Sequence, residues 1–208
     1  MDIDAKKFSS VARNIFKPVY PAIAEQIIAR TGVTSGKCLD IGCGSGALGT
    51  ALAKVTQLYM HFLDQSEDMI ELTMQTILEN GIQNRAKAIH GDVASIDLPD
   101  ESIDLAVSRG SVFFWEDLPR AFREIYRILT PGGWAYIGGG FGSRKIRDSI
   151  KHKMQTSKDA DSQFSSHMHR NLSPETHERF AAALETAGIS SYTILHNEDI
   201  GLWIMMRK

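Results

Sequence analysis

The segment Lys37-Cys38-Leu39-Asp40-Ile41-Gly42-Cys43-Gly44-Ser45-Gly46 constrains this chain more than any other, because three glycines at alternate positions join an apolar run to a helix-like stretch. A strand that enters a helix through such a turn makes a docking site: the first-turn N–H groups have no partner inside the helix and point at whatever binds there. The strand is expected over Lys37 to Ile41 and the helix from about Ala47 to Val55. Such a unit belongs in an α/β sheet, where strands and helices alternate.

The rest of the chain keeps that alternation. Strands are expected at Leu58 to Leu63, ending on Asp64, then at Ala86 to His90, Ile103 to Val107 and Trp134 to Ile137. Ser66 is placed to cap a helix with the inner stripe Met69, Ile70, Thr73, Met74 and Ile77, which Asn80-Gly81 can end. Asp117 caps another, with Leu118, Phe122, Ile125 and Leu129 on one face, and Pro131-Gly132-Gly133 reads as a turn. Ser173-Pro174 opens a last helix through Ala187. Tyr192 to Leu195 and Leu202 to Met206 lie too close for a parallel crossover, so they are expected to pair as a hairpin. Before Gly32 the chain reads as a helical cap over about 1–32, interrupted where Pro18 and Pro21 bracket Tyr20. The stretch 142–172 is the least regular, and the glycines Gly138, Gly139, Gly140 and Gly142 before it could hinge a lid carrying His167 and His169. The expectation is one doubly wound α/β domain over 1–208, with a mostly parallel seven-stranded sheet and an antiparallel C-terminal strand.

The glycine pattern leaves the ligand open. Gly42, Gly44 and Ala47 satisfy a dinucleotide fingerprint, and Asp64 lies twenty positions past Gly44, where a ribose-binding acid belongs. The charge of Asp40 weighs against a pyrophosphate, which its carboxylate would repel. It suits the ammonium of an amino acid.

Cys38 to Gly46 resembles the first motif of the class I methyltransferases that use S-adenosyl-L-methionine (SAM), and Asp64-Gln65-Ser66-Glu67-Asp68-Met69 resembles the end of their second strand. The likeness continues at Gly91-Asp92-Val93, at Ser108, at Pro131-Gly132-Gly133 and in the closing hairpin. The resemblance implies that Gly42, Cys43, Gly44 and Gly46 let the backbone approach the methionine moiety, with Asp40 near its amine and the Ser108 main-chain oxygen as a further partner. It implies that Asp64 holds the ribose hydroxyls, that Asp92 and the Val93 N–H meet the adenine, and that Gln65, Ser66 and Met69 line the same cleft beside Gly91. Tyr20 is expected to close over the cofactor. No metal is expected.

SAM brings an already activated methyl group, so a catalytic side chain need not exist. Ser108-Arg109-Gly110-Ser111 lacks the Asn/Asp-Pro-Pro-aromatic pattern of exocyclic and amide nitrogen methylation, and no Pro-Cys pair serves carbon methylation of cytosine. Arg109 could bind an acidic acceptor, Glu116 could act as a base, and Phe113, Phe114 and Trp115 could wall an apolar pocket, although core packing explains the aromatics equally well.

Composition sets outer bounds. The net charge is −2, which disfavours a general nucleic-acid surface. The basic run Arg144 to Lys153 reads as a solvated helix face. No apolar run reaches the ~20 residues that span a bilayer, and the first residues lack an apolar leader, so a cytoplasmic protein with no membrane partner is expected. Cys38 and Cys43 read as reduced thiols. The function expected is methyl transfer to a small molecule; the rival readings are a SAM sensor or partner subunit without catalysis, an RNA or protein methyltransferase, and an NAD-type oxidoreductase.

Overall fold

A computed structural model describes residues 15–156, 173–197 and 199–208. Along the chain run α1 (Val19–Thr31), β1 (Lys37–Ile41), α2 (Ala47–Val55), β2 (Tyr59–Asp64), α3 (Glu67–Glu79), β3 (Ala86–His90), β4 (Ile103–Arg109), α4 (Leu118–Ile128), β5 (Leu129–Gly139), α5 (Arg144–Thr156), α6 (Pro174–Thr186), β6 (Tyr192–Asn197) and β7 (Gly201–Arg207). Short 3-10 turns at Gln83–Arg85 and Ser111–Phe114 precede β3 and α4.

The strands form a single seven-stranded sheet in the order β3-β2-β1-β4-β5-β7-β6. β1 to β5 are parallel, while β7 runs antiparallel to both β5 and β6. This is the doubly wound, mostly parallel architecture the alternation predicts. Its order reverses between β1 and β4, and in such sheets ligands bind in the crevice at the strands' carboxyl ends beside that reversal.

Strand alternation divides the core into two layers. On one face Leu105 and Val107 of β4 join Ile23 and Ile27 of α1 and Leu48 and Leu52 of α2. On the other, Ala106 joins Phe122 and Ile125 of α4 and Phe180 and Leu184 of α6. Tyr136 and Trp203, both fully buried, pack with ring centroids 4.7 Å apart and anchor β5 to β7.

Capping follows the sequence. Ser66 Oγ accepts the Met69 N–H, Asp117 accepts the Arg120 N–H, and Ser173 accepts the Thr176 N–H. Three expectations differ from the structure. Pro21 does not interrupt α1: it falls in the first turn, where a missing N–H costs nothing. β5 begins at Leu129 and runs through Pro131-Gly132-Gly133, because Leu129 pairs with Ile103 and the Gly132 N–H donates to Lys208 O. Residues 144–156 lie in the stretch read as least regular yet form α5, in keeping with the solvated helix face read for Arg144 to Lys153; it packs Ile150 and Met154 inward and leaves Arg144, Lys145, His152 and Lys153 on its exposed side. His167 and His169 lie outside the described residues. Among the described residues no helix is long and apolar enough to cross a membrane.

Candidate cofactor site

The turn after β1 is built from glycines that only glycine conformations allow. Gly42, Gly44 and Gly46 all have positive φ, at 62°, 56° and 75°. At Gly42 space is as restrictive as conformation: a Cβ there would stand 2.3 Å from Ser111 Cβ. Ser111 earns that closeness, since its Oγ donates to Ile41 O at 3.0 Å and lies 2.6 Å from Ser108 Oγ. It ties the end of β1 to the end of β4.

Neighbouring elements fix the rest of the loop. The Cys43 N–H continues the β1–β2 ladder by donating to Leu63 O at 3.0 Å, and Thr73 Oγ1, buried on α3, donates to Gly44 O at 2.8 Å. The Gly44 N–H donates to Asp64 Oδ2 at 2.8 Å, while the Ser66 N–H donates to Asp64 Oδ1 at 3.0 Å. Asp64 thus braces both the loop and the start of α3, and as a carboxylate it has acceptor capacity beyond these bonds for a ligand hydroxyl. Burial raises the pKa of Asp64, and the N–H groups of Gly44, Ser66 and Gln65 oppose the rise.

Asp40 does two things. It is 2% exposed and its Oδ2 accepts the Gly49 N–H at 2.8 Å, bracing the first turn of α2. Burial pushes its pKa up to about 7, the Gly49 bond pulls it down, and the charge of Asp64 raises it again. An N–H that a pyrophosphate would need at this helix terminus is therefore already taken, by a carboxylate. The Asp64 charge that raises the Asp40 pKa marks a place that favours a cation, and a sulfonium nucleoside with an ammonium group suits it better than a pyrophosphate does.

The remaining sequence-predicted residues gather around these strand ends. Gln65 is exposed and its carbonyl lies 3.0 Å from His90 Nε2; Met69 is buried at the start of α3. The Gly91 N–H donates to Asp64 O, so the third station is tied to the second. Asp92 forms a local turn, accepting the Ala94 N–H at 2.8 Å on Oδ1, and Val93 lies inside that turn. Ser108 is fully buried at the end of β4. Tyr20 is half-buried on α1, and both Arg109 and Asp40 act on its phenol, the first lowering and the second raising a pKa that burial has already lifted.

Of the three aromatics after β4, Phe113 packs 5.8 Å from Phe180 and Trp115 packs 6.1 Å from Phe122, so both serve the core. Phe114 alone is 55% exposed. Glu116 is exposed on the turn before α4. Sequence reasoning missed Thr73, which it placed in an apolar stripe, and Ser111; a hydroxyl at a core position of α3 was the available signal for the first.

Comparison with known proteins agrees with this geometry. A family model described as a methyltransferase domain matches residues 39–137. The chain superposes with a TM-score of 0.93, at 46% identity, on the crystal structure of a Methanococcus maripaludis protein assigned as a SAM-dependent methyltransferase, covering 98% of this chain and 91% of that one. A SAM-dependent methyltransferase from Aquifex aeolicus shares the fold, with a TM-score of 0.70 at 15% identity over 99% of this chain and 98% of that one. A sterol 24-C-methyltransferase of Gibberella zeae is 31% identical over 56% of this chain, and a 2-methyl-6-phytyl-1,4-hydroquinone methyltransferase of Oryza sativa is 35% identical over 50% of it. The chain spans only 32% and 30% of those two proteins. With the Methanococcus protein matched along nearly its whole length, and with the glycine loop after β1, the acid ending β2 and the closing hairpin all in place, the chain belongs to the SAM-dependent methyltransferases of Rossmann-like fold.

Proposed function

We propose that this chain transfers the methyl group of SAM to a small-molecule acceptor. The observation that carries the reading is the cation cradle at the switch of strand order, where Asp40 and Asp64 flank a loop of left-handed glycines. When bound, SAM supplies a methyl carbon on a sulfonium: the acceptor's lone pair forms the new bond, the C–S pair returns to sulfur, and any proton on the acceptor atom leaves to base or solvent, giving S-adenosylhomocysteine.

The chain's own residues bind and align. Gly42, Cys43, Gly44 and Gly46 admit the methionine moiety, with Asp40 and the Ser108 main-chain oxygen toward its amine and Tyr20 beside it. Asp64 accepts from the ribose diol. Gln65, Ser66, Met69 and Gly91 shape the adenosine side, where the free oxygen of Asp92 and the Val93 N–H meet the adenine. Phe114, exposed after β4, faces the acceptor side. Catalysis in this reading rests on alignment and desolvation.

The small-molecule part is supported by the names of two relatives, a sterol and a hydroquinone methyltransferase. A cytoplasmic setting is part of the reading and is supported by the two unpaired thiols, Cys38 and Cys43. The test is incubation with methyl-labelled SAM and cell extract separated into small molecules, RNA and protein. Label is expected in the small-molecule fraction. Label confined to RNA or protein would overturn the acceptor class, and label in none would overturn transfer.

A further inference from the structure

Cofactor binding leaves one charged group at the strand ends without a task. Arg109, the last residue of β4, projects onto the face of the sheet opposite Ser108. Its guanidinium carbon lies 5.1 Å from the centroid of the Phe16 ring, 5.4 Å from Tyr20 and 5.9 Å from Phe141. Phe16 and Phe141 themselves stack at 6.3 Å. Nε donates to Gly140 O at 3.1 Å. Among the described residues no carboxylate stands within ion-pair distance of it.

That is an uncomfortable environment for a cation. Burial lowers the Arg109 pKa, and only Tyr20 opposes the effect. Arg127 shows the contrast: it holds both Glu124 and Asp100. Ring faces attract a guanidinium by about 0.5–2 kcal/mol, which offsets desolvation only in part. A cation kept in an aromatic collar with no counter-charge among the described residues has the form of an anion receptor. The planar fork favours a carboxylate, which it can meet with two parallel bonds.

Position identifies which carboxylate. The proposed adenosine contacts lie at the ends of β3 and β2, and the proposed methionine contacts run from the end of β1 to the Ser108 main chain and the edge of Tyr20. Arg109 instead touches the segment after β5, through Gly140 and Phe141, and the chain before and within α1, through Phe16 and Tyr20. None of residues 42–46 contributes to its collar. It therefore stands on the β5 side of the proposed methionine end, between that end and the aromatic rings of Phe16 and Phe141.

We propose that Arg109 receives a carboxylate of the methyl acceptor, so that the substrate class is a small organic acid whose apolar body lies against the collar. This rests on the methyl-transfer reading above. The test uses the full chain loaded with S-adenosylhomocysteine and titrated calorimetrically with benzoate, phenylacetate and octanoate, each beside its neutral amide. At least one acid is expected to bind at least about tenfold more tightly than its amide. Arg109→Met is expected to remove that preference and Arg109→Lys to keep part of it, while affinity for S-adenosylhomocysteine stays within about twofold. Acids and amides binding alike, or no acid binding, would overturn the proposal. So would a tenfold or larger loss of S-adenosylhomocysteine affinity in Arg109→Met, about 1.4 kcal/mol, since it would put the guanidinium on the methionine carboxylate. If Arg109→Met fails to fold in a melting control, Arg109→Lys decides by the same criteria. Failure of the wild type to bind S-adenosylhomocysteine at all would instead overturn the methyl-transfer reading.

Discussion

The backbone N–H of Gly44 donates to Asp64 Oδ2 at 2.8 Å, so the acid proposed to hold the ribose also holds the loop proposed to meet the methionine. In that proposal binding and folding share one carboxylate. Replacing Asp64 by Ala removes the acceptor for both Gly44 and Ser66, and is expected to cost about 1–3 kcal/mol of stability as well as more than about tenfold in SAM affinity. Asp64→Asn keeps one acceptor oxygen and should recover more of the stability than of the affinity. Thermal melting and calorimetry on the two variants check this, and equal recovery of both would separate the two roles wrongly assigned to one group.

Asp40 predicts a pH dependence. Its pKa is raised to about 7, mainly by burial. The folded state thus keeps a proton that the unfolded chain releases in the usual carboxylate range, and stability should fall as pH rises from that range through about 7. A cationic amine favours the ionised form, so SAM affinity should rise over the same interval and binding should release protons. Titration in buffers of different ionisation enthalpy measures the release. Asp40→Asn should flatten both slopes, and an unchanged affinity profile in that variant would remove Asp40 from the site.

Gly42 and Ser111 should be coupled. Alanine at Gly42 meets both a φ of 62° and the Ser111 side chain, an expected cost of about 2–4 kcal/mol from the two causes together. Adding Ser111→Gly relieves the contact but not the conformation. The double variant should be less destabilised than the sum of the singles by about 1 kcal/mol, as read by denaturant unfolding. Simple additivity would mean that the backbone moves to avoid the contact.

Thr73 offers a cleaner probe of loop positioning, because its side chain is fully buried and reaches the loop from α3. Thr73→Val keeps the shape and loses the bond to Gly44 O. A stability loss of about 1–2 kcal/mol is expected, with weaker SAM binding from a less ordered loop. An unaltered SAM affinity at reduced stability would show that the loop holds its shape without Thr73.

Much of this was legible in the sequence because local and tertiary signals agree. The run from Lys37 to Val55 has strand composition, turn glycines and helix periodicity in order, and its element bounds match the structure. Where the two conflict, tertiary pairing wins. Pro131-Gly132-Gly133 has turn chemistry and sits where the β4–β5 register slips, between the pairs Ile103–Leu129 and Leu105–Trp134, yet bonds between Lys208 and Gly132 and Gly133 keep it within β5. In α5 abundant charge hid the apolar positions Ile146, Ile150 and Met154, which recur every four residues. At the site, Asp40 and Asp64 were visible as acids at strand ends. Ser111 and the collar around Arg109 were not, because their partners lie far away in the chain and only the fold brings them together.

The central claim is that the glycine loop and its two carboxylates select a sulfonium nucleoside over a dinucleotide. Calorimetric titration of the full chain with SAM, S-adenosylhomocysteine and NAD tests it most directly. Saturable binding of SAM and S-adenosylhomocysteine, with no binding of NAD at comparable concentration, is the predicted result. Saturable binding of NAD without binding of SAM would contradict the account.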